Sequence, residues 1–456
     1  MAPVLPKVSA AAVSAETRLA YVLHHFRLAY AGAAPVSIGY AGQQPQVEVA
    51  DGAGYFFEQQ LPYPPEPSWR EWQGQRLPFF FDLAADKPVL ERRPEGRAII
   101  HADVISAAFY LLSGWQEYFC EERDRHGRFP FSASVQHRYG FVALPVVNYY
   151  FDILRAAVEH VIGQPIQPLR WENDAPFAAF ITHDIDNLFS AWKAPAKAAL
   201  LRREWLSFGQ QLWQHFTQRD AWDNLAEVHQ AVASYGAKST FFFLPERRKS
   251  ANGTPNADYY MRAAWPRMKP LAEAGAEIAV HGSLLAADNL WLKDEANLVG
   301  DDATNLGLRF HYLRWEPRLT PTIVSQTGFV YDSTLGFAEH FGFRNSYCLP
   351  FYPFNFERGE AFEFLEIPLN VMDATLHHPS YLQLAPDEIL PALTPMFQEI
   401  ERFGGVCTLL WHNENFDPAN TRNGPQQFRE LMEYLRGRGA AFVTGREVVD
   451  IFATRS

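Results

Sequence analysis

The run Phe177-Ala178-Ala179-Phe180-Ile181-Thr182-His183-Asp184-Ile185-Asp186 is apolar for its first half and then breaks into hydroxyl, imidazole and carboxylates. A short apolar run closed by reactive groups has the form of a buried strand that delivers its carboxyl end to a site. If the strand persists, Asp184 and Asp186 point one way and His183 the other, because side chains alternate. Two neighbouring carboxylates repel unless a cation or a shared proton relieves them, so the pair suits one metal ligand beside one general base. An Asx turn or a helix cap accounts for the same spacing without any chemistry.

Outward from this run the pattern repeats. Ser239–Leu244, Glu277–His281, Leu308–Tyr312, Phe329–Tyr331, Val406–Trp411 and Ala440–Val443 are short apolar runs, and each follows a helix-like stretch closed by Gly236, Gly275, Gly307, Gly328, Gly405 or Gly439. Glycine supplies the left-handed cap at which a helix turns into a strand. Such alternation implies parallel strands with crossover helices, closed into a barrel or left as an open doubly wound sheet. No G-x-G-x-x-G follows any of the runs, so a dinucleotide crevice is not supported. The runs end in His281-Gly282-Ser283, Arg309-Phe310-His311, Asp332-Ser333-Thr334 and Trp411-His412-Asn413-Glu414. In a parallel barrel these ends share one face, so the separated segments converge there. Each has a plainer reading: His281 and His412 as hydrogen-bonded core histidines, Arg309 and Asp332 as a buried ion pair at the barrel rim.

Before this pattern, Ser14–Tyr30, Val104–Phe119 and Pro145–Ile162 carry apolar residues at helical spacing, flanking proline- and aromatic-rich stretches such as Pro62–Trp69 and Gln75–Pro88. Residues 1–168 are therefore assigned to an N-terminal α+β domain of unreadable chemistry. A proline-bearing linker, Gly163–Pro176, leads into the second domain, residues 169–456.

A chain of 456 residues with 48% hydrophobic and 15% aromatic content fills a large core. The net charge of -12, with Lys and Arg dispersed, lacks the footprint of a nucleic-acid binder. No run approaches the roughly 20 apolar residues of a transmembrane segment. The stretch Met1–Ala20 lacks the apolar core of a secretion signal, and Cys120, Cys348 and Cys407 are too few and too scattered for a disulfide framework, so a cytoplasmic protein is expected. Oligomeric state is not legible.

Taken together, order and spacing resemble the polysaccharide deacetylase family of carbohydrate esterases over about Phe177 to Val449. Thr182 to Asp186 looks like the family's first motif, with Ile185 between the carboxylates. Ser239–Leu244 is similar to its second-strand signature, and His281 to the first histidine of its H-[ST]-x-x-H metal motif. Arg309, Asp332 and His412 resemble the arginine, the start of the fourth motif and the late histidine. Two departures stand out: Leu285 occupies the place of the second metal histidine, and Phe310-His311 replaces the proline and aromatic after the arginine.

The resemblance implies an α/β fold, a distorted and roughly seven-stranded (β/α) barrel, that removes N-acetyl or similar acyl groups from a carbohydrate with a divalent metal, zinc by family precedent. Asp186 and His281 would be ligands, Asp184 the base, Arg309 its orienting partner, and His412 the acid. Asp332 would support the rim or position His412. For the missing ligand, His183 should face the helices, and Asp288 reaches inward only from a helix starting near Ser283. His311 shares strand parity with Arg309 and carries an imidazole, so Asp186, His281 and His311 are taken as the metal set. Trp291, Trp315, Phe337, Trp411 and Phe416 are candidates for stacking on sugar faces or for packing. Two other readings stay open: a non-catalytic carbohydrate-binding protein on the same fold, and hydrolysis of non-carbohydrate C–N bonds.

Overall fold

A computed structural model of the protein describes residues 8, 10–31, 36–250, 253–300, 307–422 and 424–455. The opening residues of the stretch tested above for a secretion signal lie outside them. Among the described residues nine strands form one sheet, numbered here in chain order: β1 (Ala178–Ile185), β2 (Thr240–Phe243), β3 (Glu277–Gly282), β4 (Gly307–Phe310), β5 (Tyr331–Asp332), β6 (Leu365–Glu366), β7 (Val371–Met372), β8 (Val406–Leu410) and β9 (Ala441–Val443). Every pairing in it is parallel, in the order β6-β5-β4-β3-β2-β1-β8-β7.

All eight residues of β1 are buried, which is why its sequence shows no alternation: helices or sheet cover both faces. Its carboxyl half pairs with β2, its amino half with β9, and β8 runs along the other side. Residues 367–370, which join β6 to β7, lie across the remaining gap. Ile367 N donates to the Asp332 carbonyl at 2.8 Å, and Thr408 N donates to Asn370 Oδ1 at 2.9 Å. The architecture is thus a distorted α/β barrel. It has more strands than the seven expected because β6 and β7 are two-residue strands with no glycine-capped helix before them.

Gly275 and Gly328, at φ 92° and 90°, take the left-handed conformation that ends a helix. Gly307 does something else: it is the first residue of β4, and a Cβ there would stand 1.9 Å from Tyr331 Cζ. Its missing side chain makes room for the buried Tyr331 ring.

The preceding region is α+β, with helices Ala15–Ala29, Val104–Leu112 and Val146–Ile162 and a four-stranded sheet of Ile38–Tyr40, Val47–Val49, Arg97–Ile100 and Leu90–Arg93. The helix expected across Val104–Phe119 is broken at Gly114, φ 72°, and restarts at Trp115. Part of the expected loop Gln75–Pro88 is a strand, Gln75–Phe79, paired with Ser68–Trp72 in a two-stranded hairpin whose outer edge tolerates Pro78. The link to the barrel is tied down at points: Pro168 pairs with Tyr30, and Trp171 Nε1 donates to the Gly404 carbonyl at 2.8 Å.

Charge also joins the two regions. Arg344 pairs with Glu117 at 2.6 Å with side chains 1% and 4% exposed, and Arg123 pairs with Glu316 at 2.8 Å. Removing one member of a buried pair strands the other without solvent. Arg344→Met is expected to lower the unfolding free energy by about 3–5 kcal/mol in urea titrations, and the pair Arg344→Met with Glu117→Gln to recover most of it.

Candidate functional site

The carboxyl ends of β1, β3, β4, β7 and β8 open into one cleft enclosing about 200 Å³. That space holds the reacting end of a substrate rather than a whole chain.

Three donors face each other at its floor. His281 Nδ1 lies 2.9 Å from the Arg309 carbonyl and His311 Nε2 lies 3.3 Å from the Pro255 carbonyl, so these nitrogens are the ones that carry protons. The other nitrogens, His281 Nε2 and His311 Nδ1, are then lone pairs 3.1 Å apart, and each is 3.3 Å from Asp186 Oδ1. Asp186 Oδ1 is itself buried without a hydrogen bond. Two lone pairs and a carboxylate oxygen facing one another repel unless a proton or a cation sits among them. All three ligand atoms lie within 4.8 Å, so one carboxylate and two imidazoles, each imidazole braced by a carbonyl, can hold a metal ion and suit zinc chemically. Burial opposes ionisation of Asp186, but where protons on His311 and His281 take the cation's place their charge outweighs it and holds the carboxyl well below the usual carboxylate range.

Beside this set stands a second carboxylate with its own support. Asp184 Oδ1 accepts from Arg309 Nη1 at 2.9 Å, and Oδ2 lies 3.6 Å from His281 Nε2. Arg309 is fully buried; it also donates to Thr182 Oγ1 and to the Ser333 carbonyl, both at 2.8 Å, and its guanidinium stands 4.5 Å from the Phe242 ring centre. On the other side, His412 Nδ1 donates to Asp373 Oδ1 at 2.8 Å, and His412 Nε2 points to within 3.7 Å of Asp186 Oδ2. Burial pulls the His412 pKa down, but the Asp373, Asp186 and Asp184 carboxylates win and raise it well above the ordinary histidine value.

Asp184, Asp186, His281, His311 and His412 therefore line one cleft, with Arg309 buried behind Asp184. Asp332 does not join them. It bonds to Thr334 N and Oγ1 at 2.8 and 2.9 Å, and burial lifts its pKa to about 6 beside the buried Glu366. The expectation that Asp332 positions His412 or pairs with Arg309 is corrected: Asp373 bonds His412, and Asp184 pairs with Arg309. Asp373 was missed although it closes the run Val371-Met372 just as the others close theirs. The two-residue strand was too short to be recognised.

The other candidates for the missing ligand fall away. Leu285 is 39% exposed, and Asp288 pairs with Arg314 at 2.7 Å. His183 bonds the Trp411 carbonyl at 2.7 Å on the opposite side of β1, packed near Phe241, Phe416 and Phe428, and burial lowers its pKa to about 4. None of the five aromatics suggested for sugar stacking lines the cleft; Tyr312 and Tyr381 do.

One wall comes from outside the barrel. Arg125, His126 and Arg128 line the cleft; His126 stacks on Tyr312 with centroids 4.6 Å apart, and Arg128 donates to the Tyr312 carbonyl at 2.8 Å. Tyr312 and Leu313, directly after His311, both hold positive φ, 57° and 54°. Nothing in the polar loop 121–128 set it apart by sequence.

If the three donors act as one centre, His311→Ala, His281→Ala and Asp186→Asn each lower zinc affinity at least about tenfold, whereas Asp288→Asn leaves it unchanged. Competition with a coloured chelator checks this.

Residues 15–162 match a family model described only as a family of unknown function, DUF7033. No curated protein matches the chain. Among solved structures the chain is similar to a provisionally assigned polysaccharide deacetylase from Mycobacterium smegmatis, at 16% identity and TM-score 0.41, over 63% of this chain and 94% of that one. It is also similar to the Puue allantoinase, at 13% identity and TM-score 0.40, over 63% and 94%, and to a provisional polysaccharide deacetylase from Pseudomonas aeruginosa PAO1, at 13% and 0.39, over 62% and 93%.

Proposed function

We propose that the protein is a metal-dependent amidohydrolase that removes an N-acetyl or similar acyl group from an amino sugar. The observation that carries the reading is the placement of a braced carboxylate, Asp184, and an imidazole held by Asp373, His412, on either side of the Asp186, His281 and His311 donors. A carbohydrate-binding pocket has no use for both a base and an acid. The motif resemblance supplies the substrate class, and His311 offers the donor that is missing at Leu285.

Asp186, His281 and His311 would hold a divalent ion, zinc on this donor set, which would supply Lewis-acid polarisation of the acyl group and acidification of water. Asp184 takes the proton of the attacking water, and Arg309 keeps that carboxylate turned toward the cleft. Water oxygen bonds to the acyl carbon as the C–N bond breaks. His412 gives its Nε2 proton to the departing nitrogen, so the products are a carboxylate and a free amine. Asp373 keeps His412 protonated and aimed. Tyr312, Tyr381 and the 125–128 loop form the walls against which the sugar rests.

Hydrolysis of a small non-carbohydrate amide uses the same groups, and the enclosed volume of about 200 Å³ favours it as a second reading. Product analysis separates the two: acetate from N-acetylated glucosamine oligomers, or ammonia from a linear amide. On the true substrate, Asp184→Asn and His412→Ala should each cut turnover about a hundredfold to ten-thousandfold with the fold intact. Full turnover in both variants overturns the mechanism.

The same chemistry fixes a pH dependence. His412 is needed as the acid, and its pKa is raised, so activity depending on it persists through neutrality and falls as pH rises through that value. Asp373→Asn removes the largest raising charge. The alkaline limb of kcat/KM is therefore expected to move to lower pH, and an unmoved limb assigns that limb to another group.

A further inference from the structure

Between β1 and the helix Leu225–Ala233 the chain leaves the barrel as a helical hairpin, Lys193–Leu201 and Trp205–Thr217. It departs just after Asp186, and Asp220 closes its base by accepting from Ala191 N at 3.3 Å, so the hairpin stands on the rim that carries the cleft. Its two helices pack on each other, yet Trp205–Thr217 contains no buried residue. At 100° per residue, Trp205, Leu206, Phe208, Leu212, Trp213 and Phe216 fall on one face, with Ser207, Gln210, Gln211, Gln214 and Thr217 on the other. Much of that apolar face is displayed to solvent, with Leu206 91% exposed, Phe216 79% and Trp205 64% while Phe208 and Leu212 are half-buried, and Leu201 at the end of the other helix is 74% exposed.

Large apolar side chains gathered on a protruding element mark a surface that something covers. What covers it is indicated by charge. From Lys193 to Thr217 the hairpin carries four cations, Lys193, Lys197, Arg202 and Arg203, against one anion, Glu204, on a chain whose net charge is -12. All four cations are exposed, and Arg202 and Arg203 stand in the turn itself, directly between Leu201 and Trp205. Arginine beside tryptophan and leucine at a protruding tip suits an interface that is anionic outside and apolar a few ångströms beneath. A second copy presenting the same hairpin supplies the apolar property without the anionic one, because its own tip is cationic. No helix among the described residues is long and apolar enough to cross a membrane, so the contact is with a surface rather than a span.

We propose that this hairpin is a membrane-docking element: Leu200, Leu201, Trp205 and Leu206 enter the headgroup boundary of an anionic bilayer while Lys197, Arg202 and Arg203 hold lipid phosphates. The proposal is independent of the chemistry assigned to the cleft.

The test uses the full chain and two kinds of vesicle, phosphatidylcholine alone and phosphatidylcholine with phosphatidylglycerol. Expected is co-sedimentation with the anionic vesicles only, accompanied by a blue shift of tryptophan emission and weakened by salt. The pair Trp205→Gln with Leu206→Gln should lower binding about tenfold or more, and Arg202→Glu or Arg203→Glu about fivefold for each charge removed. Because these side chains are exposed, the melting temperature of each variant should match the parent, which excludes misfolding as the cause. Equal binding to both vesicles, or binding to neither, overturns the proposal. It is also overturned if sedimentation velocity shows a dimer that the Leu206→Gln change dissociates while vesicles are ignored, since the face then belongs to a second copy.

Discussion

A guanidinium with no access to water sits between three strand ends. The Arg309 guanidinium bonds Asp184, Thr182 and Ser333 and stands over the Phe242 ring, and Asp184 is the carboxylate that pairs with it. A buried cation of this kind is tolerated only when partner and hydrogen bonds are complete, and breaking the pair is costly. The need to satisfy Arg309 therefore fixes where β1, β4 and β5 stand relative to one another. It also sets the direction of Asp184, and the backbone carbonyl of the same arginine fixes the tautomer of His281.

That dependence explains why much of the site was legible in the sequence. Parity along a strand is a strict rule, so Asp184 and Asp186 on one side, His183 on the other, and His311 in step with Arg309 could be read off spacing alone. The long strands β1, β3 and β8 announce themselves by apolar content, and the residues that close them carry chemistry. Asp373 escaped because its strand, Val371–Met372, gives no period to detect. Asp332 misled for the opposite reason: it closes an apolar run as the others do, but its carboxyl turns into the gap beside Glu366, where burial raises its pKa to about 6. Whether a strand-end carboxylate faces the cleft or the joint depends on how the sheet curls. Spacing does not encode that.

The region before the barrel was opaque for a different reason. Its helices were recognisable, since Ser14 caps Ala15–Ala29 and the apolar spacing is regular. Its contribution to the cleft rests on an irregular loop whose conformation is set by contacts with another part of the chain. Arg128 is folded onto Asp124 at 2.6 Å and onto the Tyr312 carbonyl, pairings separated by very different distances along the sequence. Local propensity has nothing to say about such a loop.

Tyr312 and Leu313 hold a left-handed backbone that non-glycine residues avoid, at about 1–3 kcal/mol each. They do so in the two positions following His311, under a stacked His126 and a donated Arg128 hydrogen bond. The loop before the barrel thus acts as a splint: while it is in place, the bent peptide keeps the third imidazole turned toward Asp186. A region that supplies none of the three facing donors thus braces the two residues that follow one of them.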